Sequence, residues 1–126
     1  GVGGHETILL VEDDALVRQY AKKALQRHGY RVLEASNGGE AVLIAEAHEG
    51  PIHLLVTDVV MPRVSGPQVA ERIRRMRQGI RVLYMSGYSQ GQIESHGELL
   101  VDTEFLEKPV SPDTLLHKVR EVLDRP

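Results

Sequence analysis

Five short apolar runs punctuate this chain, separated by segments whose apolar residues recur at helical rather than strand spacing. The runs are "TILLV" at 7–11, "RVLEA" at 31–35, "HLLVTD" at 53–58, "RVLYMS" at 81–86 and the briefer "TEFLE" at 103–107. Continuous apolar character, as opposed to strict alternation, marks a strand covered on both faces. Parallel strands need long crossovers, and right-handed crossovers place helices on both sides of the sheet. The alternation therefore predicts an α/β fold, a doubly wound five-stranded parallel sheet with five helices. At 126 residues the chain makes one domain, with enough length to bury roughly two thirds of its unfolded surface.

The helices have legible ends. Asp14 is placed to cap a first helix over 15–28, where Leu16, Val17, Tyr20, Ala21, Ala24 and Leu25 recur at helical spacing, and Gly29 supplies a left-handed stop. "GEAVLIAEAHEG" at 39–50 is the second helix. The third starts near Ser65 with Pro67 in its first turn, and its spacing turns Val69, Ile73 and Met76 inward. Between 87 and 102 the pattern is poor, because Gly91 and Gly97 interrupt "SQGQIESH"; a short fourth helix and a loop are expected there. A fifth helix begins at the cap Ser111-Pro112-Asp113 and presents Leu115, Leu116, Val119, Val122 and Leu123.

Charge and composition remove several function classes. With 15 Lys+Arg against 18 Asp+Glu the net charge is −3, which gives no electrostatic reason to expect nucleic acid or an anionic membrane as a direct partner. There is no cysteine, so disulfides, thiolate metal sites and a cysteine nucleophile are excluded. No apolar run approaches the roughly 20 residues of a membrane span, and the expected location is the cytoplasm. Arg72, Arg74, Arg75 and Arg77 are expected on a solvated face near a helix C-terminus, and the histidines show no paired metal-binding spacing. Residues 1–5, "GVGGH", are expected to be linker, and 6–126 the folded domain.

In a doubly wound sheet, ligands sit beyond the carboxyl ends of the strands. The residues there are Glu12, Asp13 and Asp14 after the first strand, Asp58 at the end of the third, Ser86 at the end of the fourth and Lys108 after the fifth. Each alone has a plainer reading: a helix cap for the acidic triplet, turn formers for Asp58 and Ser86, a solvated surface residue for Lys108. Together they bring acids, a hydroxyl and an ammonium to one edge. Carboxylates about 5 Å apart repel by roughly 3 kcal/mol per pair at an effective dielectric of 20, so a divalent cation is the natural compensation. All-oxygen ligands favour a hard ion, and a site that keeps waters and accepts phosphate suits Mg²⁺. Metal, ammonium and hydroxyl aimed at one point would hold the oxygens of a phosphoryl group in transfer, with Asp58 as nucleophile.

These motifs are also those of a known family. "ILLVEDD", "LLVTDVVMPRVSG", "LYMSGY" and "FLEKPVSP" resemble the receiver domain of two-component response regulators over about 6–124, and the segment from Ser86 to the second of these prolines is similar to the C-terminal receivers of hybrid histidine kinases. The resemblance implies a flavodoxin-like sheet of strand order 2-1-3-4-5 and a phosphoacceptor domain rather than a conventional enzyme. It implies Mg²⁺ held by Glu12, Asp13, Asp58 and the backbone carbonyl of Val60, with the phosphoryl group coming from a histidine kinase or histidine phosphotransfer protein. It further implies that Ser86 and Lys108 grip the phosphoryl oxygens, that Phe105 turns inward with Ser86, and that the surface of the fourth helix, fifth strand and fifth helix reports the change. The glycine-bearing leader and the stop shortly after the fifth helix are consistent with a receiver tethered within a longer kinase. Three rivals remain: a receiver-like interaction module that takes no phosphoryl group, a flavodoxin-type cofactor carrier and an aspartate-nucleophile phosphohydrolase. Repulsion between "EDD" and a cofactor phosphate argues against the carrier, and the hydrolase would normally need an acid two residues beyond Asp58, where Val60 stands.

Overall fold

The computed structural model describes residues 3–87 and 104–126. Five strands, β1 (Thr7–Val11), β2 (Arg31–Ala35), β3 (Leu54–Asp58), β4 (Arg81–Ser86) and β5 (Glu104–Glu107), form one parallel sheet in the order β2-β1-β3-β4-β5. Every residue of β1 and β3 is buried, as expected of central strands with helices on both faces. Helices α1 (Ala15–Arg27), α2 (Gly38–Ala47) and α3 (Gly66–Met76) and a C-terminal helix (Pro112–Leu123) are present among the described residues. The expected fourth helix and following loop fall at 88–103, outside the described residues.

Alternating strand side chains build two cores. Leu9, Val11, Leu55, Val82 and Tyr84 pack against Ala41 and Ala45 of α2 and Val69, Ala70 and Ile73 of α3. On the other face Ile8, Leu10, Leu54, Val56, Leu83 and Met85 meet Ala21 and Leu25 of α1 and Leu115, Leu116, Val119 and Val122 of the C-terminal helix. The helix starts follow their sequence signals. Asp14 accepts from the amides of Leu16 and Val17, and Ser65 and Gln68 form a reciprocal capping box. Ser111 caps the C-terminal helix through the amide of Thr114.

Several expectations need correcting. Helix α2 starts at Gly38 behind an Asn37 cap and ends at Ala47, because Arg77 rather than Gly50 closes it. Its guanidinium donates to the carbonyls of Ala45, His48 and Gly50 at 3.0, 2.5 and 2.7 Å, so Arg77 is a clamp between α2 and α3 and not part of a solvated face. Met76 does not turn inward; it is 38% exposed at the last position of α3, past the end of the buried stripe. Leu16 and Tyr20 share the helical spacing of α1 but remain 83% and 47% exposed. They border an apolar cleft of about 610 Å³ with Val110 and Leu115, where α1 and the C-terminal segment stand apart.

Candidate functional site

Strand register brings the strand-end residues together. Val11 stands opposite Thr57, which sets Glu12 beside Asp58. Met85 lies opposite Asp58 and Leu106 opposite Met85, so Ser86 and Lys108 follow at the same edge. The backbone then ties this edge: the amide of Val59 donates to the Met85 carbonyl at 2.9 Å, and that of Lys108 to the Ser86 carbonyl at 2.7 Å. Lys108 is joined to Pro109 by a cis peptide bond. Asp13, Asp58, Val60, Met85, Ser86, Gly87 and Lys108 line a cleft of about 150 Å³.

The charges are concentrated. Glu12, Asp13 and Asp58 each offer an oxygen within 4.8 Å of the others. Two carboxylates at that separation repel by about 3 kcal/mol at an effective dielectric near 20. Lys108 Nζ is 2.6 Å from Glu12 Oε2 and 2.7 Å from Asp58 Oδ1. Three carboxylates facing one ammonium leave a formal excess of two negative charges, the charge of one divalent cation.

The three acids are held differently. Glu12 is 1% exposed, and both its oxygens are engaged: Oε1 accepts from the amide of Asp14 at 3.1 Å and Oε2 from Lys108. Asp13 is exposed. Asp58 is 3% exposed, and neither of its carboxylate oxygens has a hydrogen-bond partner among the described residues. The Lys108 ammonium reaches Asp58 at ion-pair distance without the angles of a hydrogen bond, so the attraction is Coulombic. Burial, reinforced by neighbouring Glu12, raises the Asp58 carboxyl to about pH 8, and Lys108 only partly opposes this. Desolvation pulls the other way on Lys108, but Asp58 and Glu12 together hold its ammonium above the ordinary lysine value.

A buried carboxylate whose oxygens accept no hydrogen bond, and whose one counter-charge, Lys108, is shared with Glu12, is only partly compensated by the protein itself. Together with the exposed oxygens of Asp13 and the excess negative charge, it fits a hard divalent cation. Asp58 is also sterically fixed. An added Cβ at Gly66 would lie 2.0 Å from the Asp58 carbonyl oxygen, and the Gly66 amide donates to the Val59 carbonyl at 2.7 Å. Only a glycine lets the start of α3 approach the end of β3 this closely.

Every sequence-predicted site residue lies at this edge or next to it. Ser86 is buried at the cleft, and Val60 lines it with its side chain largely exposed. Phe105 is partly buried against the α2/α3-side core, opposite Tyr84, rather than lining the cleft. Asp14 is the cap of α1 and adds its amide to Glu12. Two residues escaped notice in the sequence. Gly66 had a signal, a glycine directly after a Ser cap, but its close approach depends on tertiary packing. Arg18, whose Nη1 donates to the Glu12 carbonyl at 2.8 Å, had only its place four residues after the Asp14 cap.

Comparison with known proteins agrees with this geometry. Residues 8–120 match the family model described as the response regulator receiver domain. The chain is 36% identical over 124 residues to the sensor kinase CckA of Brucella abortus, covering 98% of this chain and 13% of that protein. It is 30% identical over 116 residues to the response regulator receiver protein CpdR of the same organism, covering 92% of this chain and 95% of that one. Among solved structures, the receiver domain of the hybrid histidine kinase CckA superposes with a TM-score of 0.79 at 38% identity, covering 94% and 99% of the two chains. The chemotaxis protein CheY4 of Vibrio cholerae superposes at 0.82 with 26% identity, covering 94% and 99%.

Proposed function

The chain belongs to the response regulator receiver domain family of two-component signalling, and on that premise we propose that Asp58 is its phosphoacceptor. The observation that carries this is the buried Asp58 carboxylate, whose oxygens accept no hydrogen bond among the described residues, with the Lys108 ammonium 2.7 Å from Oδ1. An Asp58 oxygen attacks the phosphorus of a phosphohistidine on a histidine kinase or phosphotransfer protein. The P–O bond forms, the P–N bond breaks, and the imidazole leaves with its electron pair.

The surrounding residues do the positioning. Lys108 supplies a compact positive charge to the phosphoryl oxygens, and the Ser86 hydroxyl, on the rim of the same cleft, donates to one of them. Glu12, Asp13, Asp58 and the carbonyl of Val60 would hold Mg²⁺, with Asp13 and the second oxygen of Asp58 not already engaged and Glu12 anchoring Lys108. When bound, that ion offsets the charge of the phosphoryl oxygens. Val60 has no group able to orient a hydrolytic water, which favours acceptor over phosphohydrolase. The domain promotes its own aspartyl phosphorylation and dephosphorylation and is not otherwise an enzyme.

Drawing Ser86 toward the phosphoryl group would leave room for Phe105 to turn inward, with β5 and the C-terminal helix as the described part of the reporting surface in the cytoplasm; the expected fourth helix lies outside the described residues. The likeness to CckA, of which this chain spans 13%, supports a place within a hybrid histidine kinase. Incubation with a small phosphodonor and Mg²⁺ followed by intact mass tests the function: the unchanged chain gains one phosphoryl group and Asp58→Asn gains none. Addition that persists in Asp58→Asn would overturn the assignment.

A further inference from the structure

Glu12 is held at four points, and its two backbone anchors come from outside the acidic site. Its amide donates to the Ala35 carbonyl at 3.1 Å, and its two carboxylate oxygens are taken by Asp14 and Lys108. Its carbonyl accepts from Arg18 Nη1 at 2.8 Å. That carbonyl belongs to the peptide leading into Asp13, whose exposed carboxylate makes no hydrogen bond of its own among the described residues. The position from which the Asp13 side chain springs is therefore set by its backbone, with only its own rotamer left to choose.

Arg18 is built to hold that backbone still. Its own amide makes a bond of the first turn of α1, to the Asp14 carbonyl at 2.9 Å, so the side chain springs from a fixed point. Its side chain is only 16% exposed, and Nε lies 3.8 Å from Glu34 Oε1 on β2. Lys22 holds the other oxygen of Glu34 at 2.6 Å, and Gln19 approaches Oε1 at 3.4 Å. Glu34 thus orients the guanidinium, and the guanidinium orients the Glu12–Asp13 peptide.

Resting on the Mg²⁺ reading above, we propose that Arg18 is a positioning residue for the metal site, fixing Asp13 through the Glu12 carbonyl. Groups that orient metal ligands typically change metal affinity by 10- to 100-fold when removed. The sign of the effect separates positioning from simple charge. Arg18 is a cation near a cation site, so deleting its charge alone would tighten Mg²⁺ binding, whereas releasing the peptide weakens it.

The test is a calorimetric Mg²⁺ titration, paired with Tm in chelator, on the unchanged chain, Arg18→Ala, Arg18→Lys and Lys22→Ala. Arg18→Ala is expected to weaken Mg²⁺ about 10-fold. Arg18→Lys keeps the charge and the helix but lacks the planar fork that reaches both Glu34 and the carbonyl, so it also weakens binding. Lys22→Ala removes an outer support of Glu34 but leaves the Arg18–Glu12 carbonyl bond in place, so it weakens binding less than Arg18→Ala does. A purely structural Arg18 would lower Tm in chelator and leave affinity unmoved. Unchanged or tighter binding in both Arg18 variants, or equal weakening in Lys22→Ala, overturns the proposal while the metal site stands. Failure of the unchanged chain to bind Mg²⁺ refutes the metal site and the proposal together.

Discussion

Replacing Gly66 with alanine sets two physical effects against each other. By helix propensity, alanine at the first position of α3 should be neutral or favourable, since glycine is the poorer helix former by up to about 1 kcal/mol. The structure predicts loss. The new Cβ would stand 2.0 Å from the Asp58 carbonyl oxygen, 2.9 Å from its carbon and 3.1 Å from Val59 Cα, all backbone atoms with no rotamer to escape into. Restoring ordinary contact requires β3 and α3 to separate by roughly 1 Å, a strain of the overpacking kind that costs about 2 kcal/mol. For a domain of this size that lowers Tm by roughly 6–10 °C. The same shift displaces Asp58 from Lys108, and if Asp58 is the acceptor as proposed, a misplacement of about 1 Å slows the oriented reaction on the order of 100-fold. Gly39→Ala is the control, because the nearest atom to its new Cβ is Asn37 Oδ1 at 3.5 Å, an ordinary contact. It should be neutral or mildly stabilising. Thermal unfolding and the rate of phosphoryl uptake from a small donor check both variants. A Gly66→Ala chain as stable as the original and phosphorylated at the original rate would refute the reasoning.

Other perturbations have equally definite directions. Because burial raises Asp58 from 3.8 to about 8, its contribution is fully present below pH 3.8 and is lost as pH rises through 8; in chelator, Asp58→Asn should therefore raise Tm at pH 8 and flatten the pH dependence over that window. The hydrogen bonds from Arg120 hold Glu6 down from 4.5 to about 2, so this pair's stability is present above pH 4.5 and lost as pH falls through 2. Glu6→Gln should remove about 1.5–3 kcal/mol at neutral pH and the corresponding acid-range slope in urea titrations. Arg77→Ala opens three bonds from the end of α3 to carbonyls in and just past the last turn of α2 and should lower stability by about 2–3 kcal/mol in denaturant unfolding; Arg77→Lys should recover less than half, since an ammonium lacks the fork that reaches all three.

What was legible in the sequence was local or periodic. The caps at Asp14 and Ser111 depend on a side chain meeting an amide two or three residues on, and both form. The sheet followed from apolar runs and crossover geometry, and the site from the rule that such sheets bind ligands at their strand ends. Tertiary reach was not legible. The periodicity of α1 marks an apolar stripe but not how far its neighbours extend over it, which is why Leu16 and Tyr20 stay exposed. Arg77 and Arg18 look like solvated charges until the carbonyls of α2 and of Glu12 are seen beside them. Gly66 reads as a turn residue because nothing in "VSG" reveals the Asp58 carbonyl behind it.

The central claim, that Asp58 becomes an acyl phosphate, is tested most directly by reductive trapping. Borohydride reduces an aspartyl phosphate to homoserine and leaves phosphoserine and phosphohistidine unreduced, so peptide mass spectrometry after phosphodonor and Mg²⁺ reports both the chemistry and the residue. Homoserine at position 58, absent without the donor, is the predicted result. Homoserine at position 13, the one-carbon-longer 2-amino-5-hydroxypentanoic acid at position 12, or a phosphoryl group that survives borohydride on another residue, would contradict it.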